Sequence, residues 1–441
     1  MTAQLRLVDN DSPRGRELLG GALHYLGDVA DAVTDLQAEG LGEHLRHFGR
    51  RPRLSYRDGA ALIEVMDGIA LTGRGGGHFP VAAKWRSVRA SLDADAVRRG
   101  ATDGSIVVAN GAESEPLSGK DAALLELRPH LVLDGLAFAA EALGATDAVV
   151  WLHEGAHSTR TAVSRALAER QAAQLPEPRV RVVLGPERYL SGESSAIIRA
   201  LQGGPALPQF RRDPATPLRI DGRPALVQNV ETLARAAIAA YDLDGGDDVA
   251  TTLLSVAAPG HRVVLEVPAT ACLGDVVAPL LGRTPAQAVL VGGYGGSWIG
   301  WEGIKDVALH ENAFLARGLS LGAGVLIPLP VDTCGLARTA EIAEYLADSS
   351  ARQCGPCLFG LRALADMTAD LARFGSGRRD TKRLRAFLSE VSGRGGCHHP
   401  DGAVRMVSTA MITFAEDVAA HLKGRCIHSP ARRPRRGNRN A

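Results

Sequence analysis

The sequence predicts an α/β fold followed by two smaller modules, and three observations predict it. Over residues 61–240 short apolar strands alternate with helices of ordinary length, the pattern of a parallel sheet covered on both faces. After about residue 240 the pattern shifts to short strands around glycine-rich turns, a small α+β module over 241–335. From Thr339 onward the chain reads as helices joined by Gly- and Pro-containing turns, a bundle over 336–424. A mixed segment, 1–60, precedes these. A basic, Pro-broken tail, 425–441, follows them, and disorder is expected there.

Taken in order, Leu18–His47 has helix-compatible spacing and stops at Arg50-Arg51-Pro52. Ala60–Gly68 is a short helix, Ser105–Ala109 a buried strand, and Asp121–Leu143 one amphipathic helix. Ala148–Leu152 is again a strand, Arg160–Ala173 a helix, and Arg179–Leu184 a strand with partial alternation. In the middle module, His261–Val267, Ala288–Val291 and Val325–Pro328 read as strands and Leu273–Leu281 as a short helix. The bundle comprises Ala340–Ser349, Cys357–Phe374, Thr381–Ser389 and Ala403–Lys423.

Composition narrows the function. Fifty Lys plus Arg balance forty-nine Asp plus Glu in 441 residues, so no chain-wide nucleic-acid footprint is expected. No apolar run approaches the roughly 20 residues of a membrane span. The best candidate, Leu131–Ala145, is broken by Asp134 and Glu141. No basic-then-apolar leader opens the sequence, and a cytoplasmic protein that reaches a membrane only through a partner is expected. Six cysteines are too few for a disulfide scaffold, and a Cys-x-x-Cys pair points to metal or redox chemistry.

Five clusters carry chemistry. Gly73-Arg74-Gly75-Gly76-Gly77-His78-Phe79-Pro80, with Lys84-Trp85 following, offers close backbone approach and two cations to a phosphate. Asn110-Gly111-Ala112-Glu113-Ser114-Glu115-Pro116 follows a buried strand, where ligands of doubly wound sheets bind. A surface turn would account for that cluster alone; Tyr189–Ser195 and Val227–Thr232 add two more polar groups, and a helix cap, at Ser194 or Asn229, would account for each of these singly. Together they point to one pocket. The fifth is Cys354-Gly355-Pro356-Cys357 with Cys397. Soft thiolates suit zinc, copper(I) or an iron–sulfur cluster, with His398 or His399 at hand as a fourth zinc ligand; a dithiol or inert buried thiols are the alternatives.

In this order the five segments resemble the flavin- and NADH-binding subunit of respiratory complex I and the related subunits of NAD-linked hydrogenases and formate dehydrogenases. The resemblance rests on Gly73–Trp85, Asn110–Pro116, Tyr189–Ser194, Val227–Thr232 and the cysteines, and covers roughly residues 60–425. It implies a Rossmann-like FMN-binding domain, a ubiquitin-like β-grasp module and a bundle carrying a [4Fe–4S] cluster. By position it implies FMN contacts at Gly73, Arg74, Gly75, Gly76, Lys84, Asn110, Glu113, Ser114, Tyr189, Gly192, Glu193, Gln228, Asn229 and Thr232. Glu115 and Phe79 fall where the family meets the nicotinamide nucleotide, with Glu115 and Glu113 as the catalytic carboxylates. Cys354, Cys357 and Cys397 fall at cluster ligands.

The departures from the family are specific. Ala351 stands at the first cluster cysteine, so a [3Fe–4S] or incomplete cluster, or one completed by His398, His399 or Cys334, is an alternative to [4Fe–4S]. Ala112 replaces an Asp, Ser194 a Glu, Gln228 an Asn, and Arg211 a Lys. His78 replaces a glycine and is strained if φ is positive there. Ser87 and Pro214 stand at the phenylalanines that stack adenine. Their loss would cost about 1–3 kcal/mol by analogy with base stacking. The implied activity is oxidation of NADH through FMN, with electrons passed singly to the cluster and onward to an acceptor protein, a ferredoxin-like or membrane-associated redox subunit. The alternatives are a flavin and iron–sulfur protein with another donor, and a redox-inactive assembly module.

Overall fold

A computed structural model describes residues 18, 24–25, 38–99, 103–211, 213, 216–241 and 251–428. The sequence expectations for Pro214, for residues 429–441 of the tail and for most of the N-terminal segment lie outside these. The chain divides into two units. The first comprises Met1–Leu280, Val291–Gly293 and Lys305–Ile327; the second comprises Leu281–Leu290, Tyr294–Ile304 and Pro328–Ala441.

In the first unit, after the short β1 (His24–Tyr25), helices α1 (Leu41–Phe48), α2 (Tyr56–Gly68) and α3 (Val81–Arg99) lead into β2 (Ser105–Asn110). Helices α4 (Lys120–Leu127) and α5 (Pro129–Ala142), strand β3 (Ala145–His153), helix α6 (His157–Ala172) and strand β4 (Arg179–Gly185) follow. Helix α7 (Ser194–Leu201), the β5 (Leu218–Ile220) and β6 (Arg223–Asn229) hairpin and helix α8 (Val230–Tyr241) complete the series. The sheet order is β4-β3-β2-β6-β5, with β4, β3, β2 and β6 parallel and β5 antiparallel. Alternate residues of β2 face opposite sides: Val107 and Ala109 pack with α5 and α8, Ile106 and Val108 with Ile197 and Ile198 of α7. Both faces are covered, so the strand reads as an unbroken apolar run.

Helix α5 touches α8 so closely that a Cβ on Gly135 would lie 2.0 Å from the Leu233 carbonyl oxygen. The single helix expected over Asp121–Leu143 is two. Pro129, at the first turn of α5, lacks the N–H that would continue α4. Helix α3 was not expected at all. Among the described residues of Leu18–His47, helix occupies the C-terminal end, from Leu41.

The same unit holds a second sheet region. Strands β7 (Thr251–Ala258) and β8 (His261–Pro268) form a hairpin, β1 pairs with β8, and the start of β11 (Val325–Pro330) runs parallel to β7, with Val325 opposite Ser255. The helix expected over Leu273–Leu281 is α9 (Leu273–Val277) plus a 3₁₀ turn.

The second unit contains β9 (Ala286–Val291, all but its last residue), β10 (Ser297–Gly300) and α10 (Trp301–Ile304); α11 (Glu311–Leu315) belongs to the first. Its body is α12 (Gly335–Asp348), α13 (Leu361–Ala372), α14 (Arg378–Val391), α15 (His399–Thr413) and α16 (Ala415–His421). The last expected helix is thus two, broken at Phe414. The expected 240/241 boundary falls within the first unit and the 335/336 boundary within the second. Among the described residues no helix is long and apolar enough to cross a membrane.

Candidate functional site

The chain runs β2 to β3 to β4 in one direction and then returns to place β6 on the other side of β2. The carboxyl ends of β2 and β6 meet with Asn110 opposite Asn229. Such a reversal opens a crevice at the strand ends, the usual ligand position in doubly wound sheets. The glycine segment borders it. A bridge between Thr72 and Pro80 closes the loop, and the Gly73 N–H donates to the Phe79 carbonyl at 3.0 Å. The Arg74 N–H donates to Thr232 Oγ1 at 2.9 Å, and a Cβ on Gly75 would lie 3.2 Å from Cβ of Asn229. Phe79 is 52% exposed.

His78 adopts φ 43°, the strained conformation expected if the family glycine needs a positive φ. Its ring is held by Nε2 at 2.8 Å from the Gly322 carbonyl and Nδ1 at 3.4 Å from Glu311. The contact with the Gly322 carbonyl helps to hold a conformation that costs about 1–3 kcal/mol.

Helix α3 begins directly after the loop, which buries Trp85 completely and directs Lys84 toward the carbonyl of Val227, to which its Nζ donates. Burial, aided by the Arg211 guanidinium, pushes the Lys84 amine down to about 8. A half-buried ammonium with so little compensation favours an anionic ligand. Ser114 Oγ and Gln228 Oε1 are buried without a hydrogen-bond partner in the protein. Uncommitted buried polar atoms, a glycine loop and a cation at a strand-end crevice fit a phosphate-bearing heterocycle such as FMN.

Other expected residues are placed with different duties. Asn110 Nδ2 donates to the Gly192 carbonyl at 2.8 Å, and the space beside Gly192 is narrow, with Ser114 Oγ 2.8 Å from where a Cβ would stand. Tyr189 Oη donates to Glu115 Oε2 at 3.1 Å. Glu193 caps α7 through the Ser195 and Ala196 N–H groups, at 2.9 and 3.0 Å. Glu113 accepts from the N–H groups of Asp121 and Ala122 at the start of α4, and burial with the Asp121 carboxylate pushes it up to about 7. Asn229 Oδ1 accepts from Glu231 N, and its amide donates to Asp121 Oδ2 at 2.6 Å.

Beneath these lies a buried charge set that the motifs alone do not reveal. Lys120 Nζ sits 2.7 Å from Asp121 and 2.9 Å from Glu231, and Arg235 lies 2.8 Å from Glu231. Burial pushes Glu231 up, but Lys120, Arg235 and Arg74 outweigh it and hold the carboxyl at about 2. The signal was present as charged residues inside otherwise apolar helices.

The cysteines of the second unit form two groups. Cys354 precedes a π turn, Pro356–Gly360, that carries Cys357. The Gly396 N–H points at Cys354 Sγ at 3.4 Å, bringing the turn before Cys397 alongside. Burial, with the neighbouring Cys354 thiol, pushes the Cys357 thiol up, against a hydrogen bond from the Ala351 N–H. Cys354, Cys357 and Cys397 do not converge as a set within 4.8 Å. A single zinc ion, with Zn–S about 2.3 Å, would draw them that close. Thiolates are soft donors of the kind that iron–sulfur clusters use.

The proposed fourth ligands go elsewhere. The His398 side chain is 99% exposed with Nδ1 3.6 Å from Asp401, and buried His399 places Nε2 2.8 Å from the Leu346 carbonyl. Cys334 instead joins His421 and Cys426, whose ligand atoms lie within 4.8 Å of one another. His421 Nε2 is 3.5 Å from Cys334 Sγ while Nδ1 faces the Leu371 carbonyl at 3.1 Å, as in a metal-binding imidazole whose other nitrogen is oriented by a backbone oxygen. This group can hold one zinc-class ion. Cys334 and Cys426 are far apart in sequence, and folding alone brings them together.

Comparison with known proteins agrees with this architecture. The Nuo51 FMN-binding domain matches residues 66–238 and the NADH-ubiquinone oxidoreductase-F iron-sulfur binding region matches residues 337–421. An NADH-quinone oxidoreductase F-type subunit of Rhizobium meliloti is 26% identical over 82% of this chain and 89% of its own length. The NADP-reducing hydrogenase subunit HndC of Solidesulfovibrio fructosivorans is 24% identical over 82% of this chain and 76% of its own. An NAD+-reducing [NiFe]-hydrogenase in the H2-reduced state superposes with a TM-score of 0.71 at 26% identity over 83% of this chain. This chain spans 63% of that hydrogenase chain, under two thirds of its length. The chain belongs to the family of NADH-binding, FMN- and iron–sulfur-carrying subunits of complex I-like enzymes.

Proposed function

We propose that this protein is the electron-input flavoprotein of a multi-subunit redox assembly: it oxidises NADH at FMN and passes the electrons singly through an iron–sulfur cluster to a partner subunit. The observation that supports the reading is that the glycine loop pinned to Thr232, Lys84 on the Val227 carbonyl, and the partnerless buried atoms of Ser114 and Gln228 all belong to segments at the carboxyl ends of β2 and β6 or bonded to them. FMN, when bound, accepts a hydride and releases electrons one at a time, which no side chain does. Gly73, Gly75 and Gly76 allow the backbone to approach it, and Lys84 and Arg74 supply positive charge to its phosphate. Glu115, oriented by Tyr189 Oη, and exposed Phe79 are assigned to the nicotinamide side. Glu113 and Glu193 shape the pocket by fixing the first turns of α4 and α7, and Asn229 and Thr232 fix the loop.

Cys354, Cys357 and Cys397 would hold the cluster. The acceptor is a ferredoxin-like or membrane-associated redox subunit, and the protein works in the cytoplasm or on the membrane surface through that partner. The five-part domain plan, with a β-grasp module over 241–335, is part of this proposal.

The test is the absorbance of anaerobically purified protein before and after NADH. Flavin bands that bleach with NADH are expected. Bands that bleach with dithionite but ignore NADH would move the reading to another electron donor, which the absence of an aromatic side chain at Ser87 favours. Protein that stays colourless after reconstitution would leave only an assembly role.

A further inference from the structure

The stretch matched to the iron–sulfur region, 337–421, contains three cysteines, Cys354, Cys357 and Cys397, whereas a four-iron cubane takes four ligands. The missing donor has a definite place. Ala351 directs its backbone N–H at the Cys357 thiol, so position 351 borders the thiol set, yet its side chain is a methyl group. The neighbouring hydroxyl is committed: Ser350 Oγ donates to the Cys357 carbonyl at 3.0 Å and accepts from the Arg352 N–H at 3.1 Å. His399 faces the Leu346 carbonyl, His398 projects into solvent, and Cys334 lies with His421 and Cys426. Arg352 and Gln353 are exposed beside this position, as is Phe359 at 70%, so water reaches it.

We propose that the cluster on Cys354, Cys357 and Cys397 is site-differentiated: three irons are held by protein thiolates, and the fourth keeps an open coordination position at Ala351 that a small oxygen or sulfur donor from solution fills. Water is the resting donor, and small thiols compete for the position because soft ligands suit iron–sulfur iron. This rests on the reading that the unit carries a cluster.

One consequence is chemical lability at a single iron. Ferricyanide, accepting one electron, converts the cubane in its 2+ state to a three-iron cluster in its 1+ state and releases one Fe(II). Iron with three thiolate-anchored neighbours but no anchor of its own leaves first.

The experiment uses the full chain, purified anaerobically, with flavin, iron and sulfide measured first. Ferricyanide titration followed by EPR should give wild type a three-iron signal and the loss of one iron in four. Fe(II) plus dithionite should reverse both changes. Ala351→Cys should keep all four irons and give no such signal. Wild type that holds four irons through oxidation would overturn the proposal, and His398→Ala would then show whether that ring is the ligand. If Ala351→Cys fails to fold by thermal melting, His398→Ala decides: behaviour identical to wild type supports the open position, and newly acquired lability overturns it. Protein with bound flavin and no iron after reconstitution would overturn the cluster reading itself, as would protein with neither.

Discussion

Replacing Lys84 with Met should strengthen the apoprotein and weaken its hold on flavin. The ammonium is held at about 8 instead of its ordinary 10.5, chiefly by burial. At about 1.4 kcal/mol per tenfold, that fall corresponds to roughly 3 kcal/mol of penalty while the amine is charged in both folded and unfolded chains. The sign follows from proton counting. Below about pH 8 both states carry the proton and the penalty is complete. Between about 8 and 10.5 the unfolded chain binds more protons than the folded one, so wild-type stability rises with pH. Methionine keeps the volume and removes the charge. Urea melts of the flavin-free proteins should therefore show Lys84→Met ahead by about 2–3 kcal/mol near neutrality, with the gap closing by about pH 10.5. On the proposed reading flavin should reverse the order, because its phosphate would give the ammonium an anionic partner besides the Val227 carbonyl. Loss of one charge-assisted hydrogen bond, about 1.5–3 kcal/mol, should weaken FMN binding by roughly 10- to 150-fold in fluorescence titrations. A variant that is less stable as apoprotein and binds FMN as tightly as wild type would refute the argument that Lys84 waits for an anion.

Two further outcomes test other parts of the molecule. Gly135→Ala would set a methyl carbon 2.0 Å from the Leu233 carbonyl oxygen, so α5 and α8 must separate; a stability loss of at least about 1–3 kcal/mol should appear in thermal melts, and an unchanged Tm would show that the two helices are not in such contact. Elemental analysis should find about one zinc per chain bound by Cys334, His421 and Cys426, and Cys426→Ser should abolish it while leaving flavin and iron in place. Zinc retained by that variant would exclude the group as its site.

The legibility of this fold follows from where each signal resides. Strand β2 was plain because both of its faces are buried, leaving a run of apolar residues between polar ends. The α4–α5 break was written in Pro129 and was passed over because apolar residues continue on both sides of it. Helix α3 repeats Val81, Trp85, Val88 and Leu92 at helical spacing. Reading Lys84-Trp85 as the close of a loop motif hid that period. The strand-end crevice proposed for flavin was legible because the polar motifs bordering it are short, contiguous and follow strands. Which carboxylates cap helices was not legible, since Glu113 and Glu193 bind the first turns of α4 and α7 while Glu115 meets Tyr189, a difference of side-chain direction alone. The Lys120–Glu231–Arg235 set and the Cys334–His421–Cys426 group depend on pairs of residues far apart in sequence, whose meeting only the finished packing decides.

The way the chain alternates between its two units bears on how the protein is made. The cluster-bearing unit draws on residues 281–290 and 294–304 as well as everything after Ile327, and strand β11 begins in one unit and ends in the other. Neither unit is therefore a continuous stretch that a ribosome could finish and release to fold before the rest exists. A gene cut at residue 335 would leave the helices on one fragment and the strands β9 and β10 on the other. Any excision of the cluster-bearing unit therefore has to carry residues 281–290 and 294–304 along with the helices.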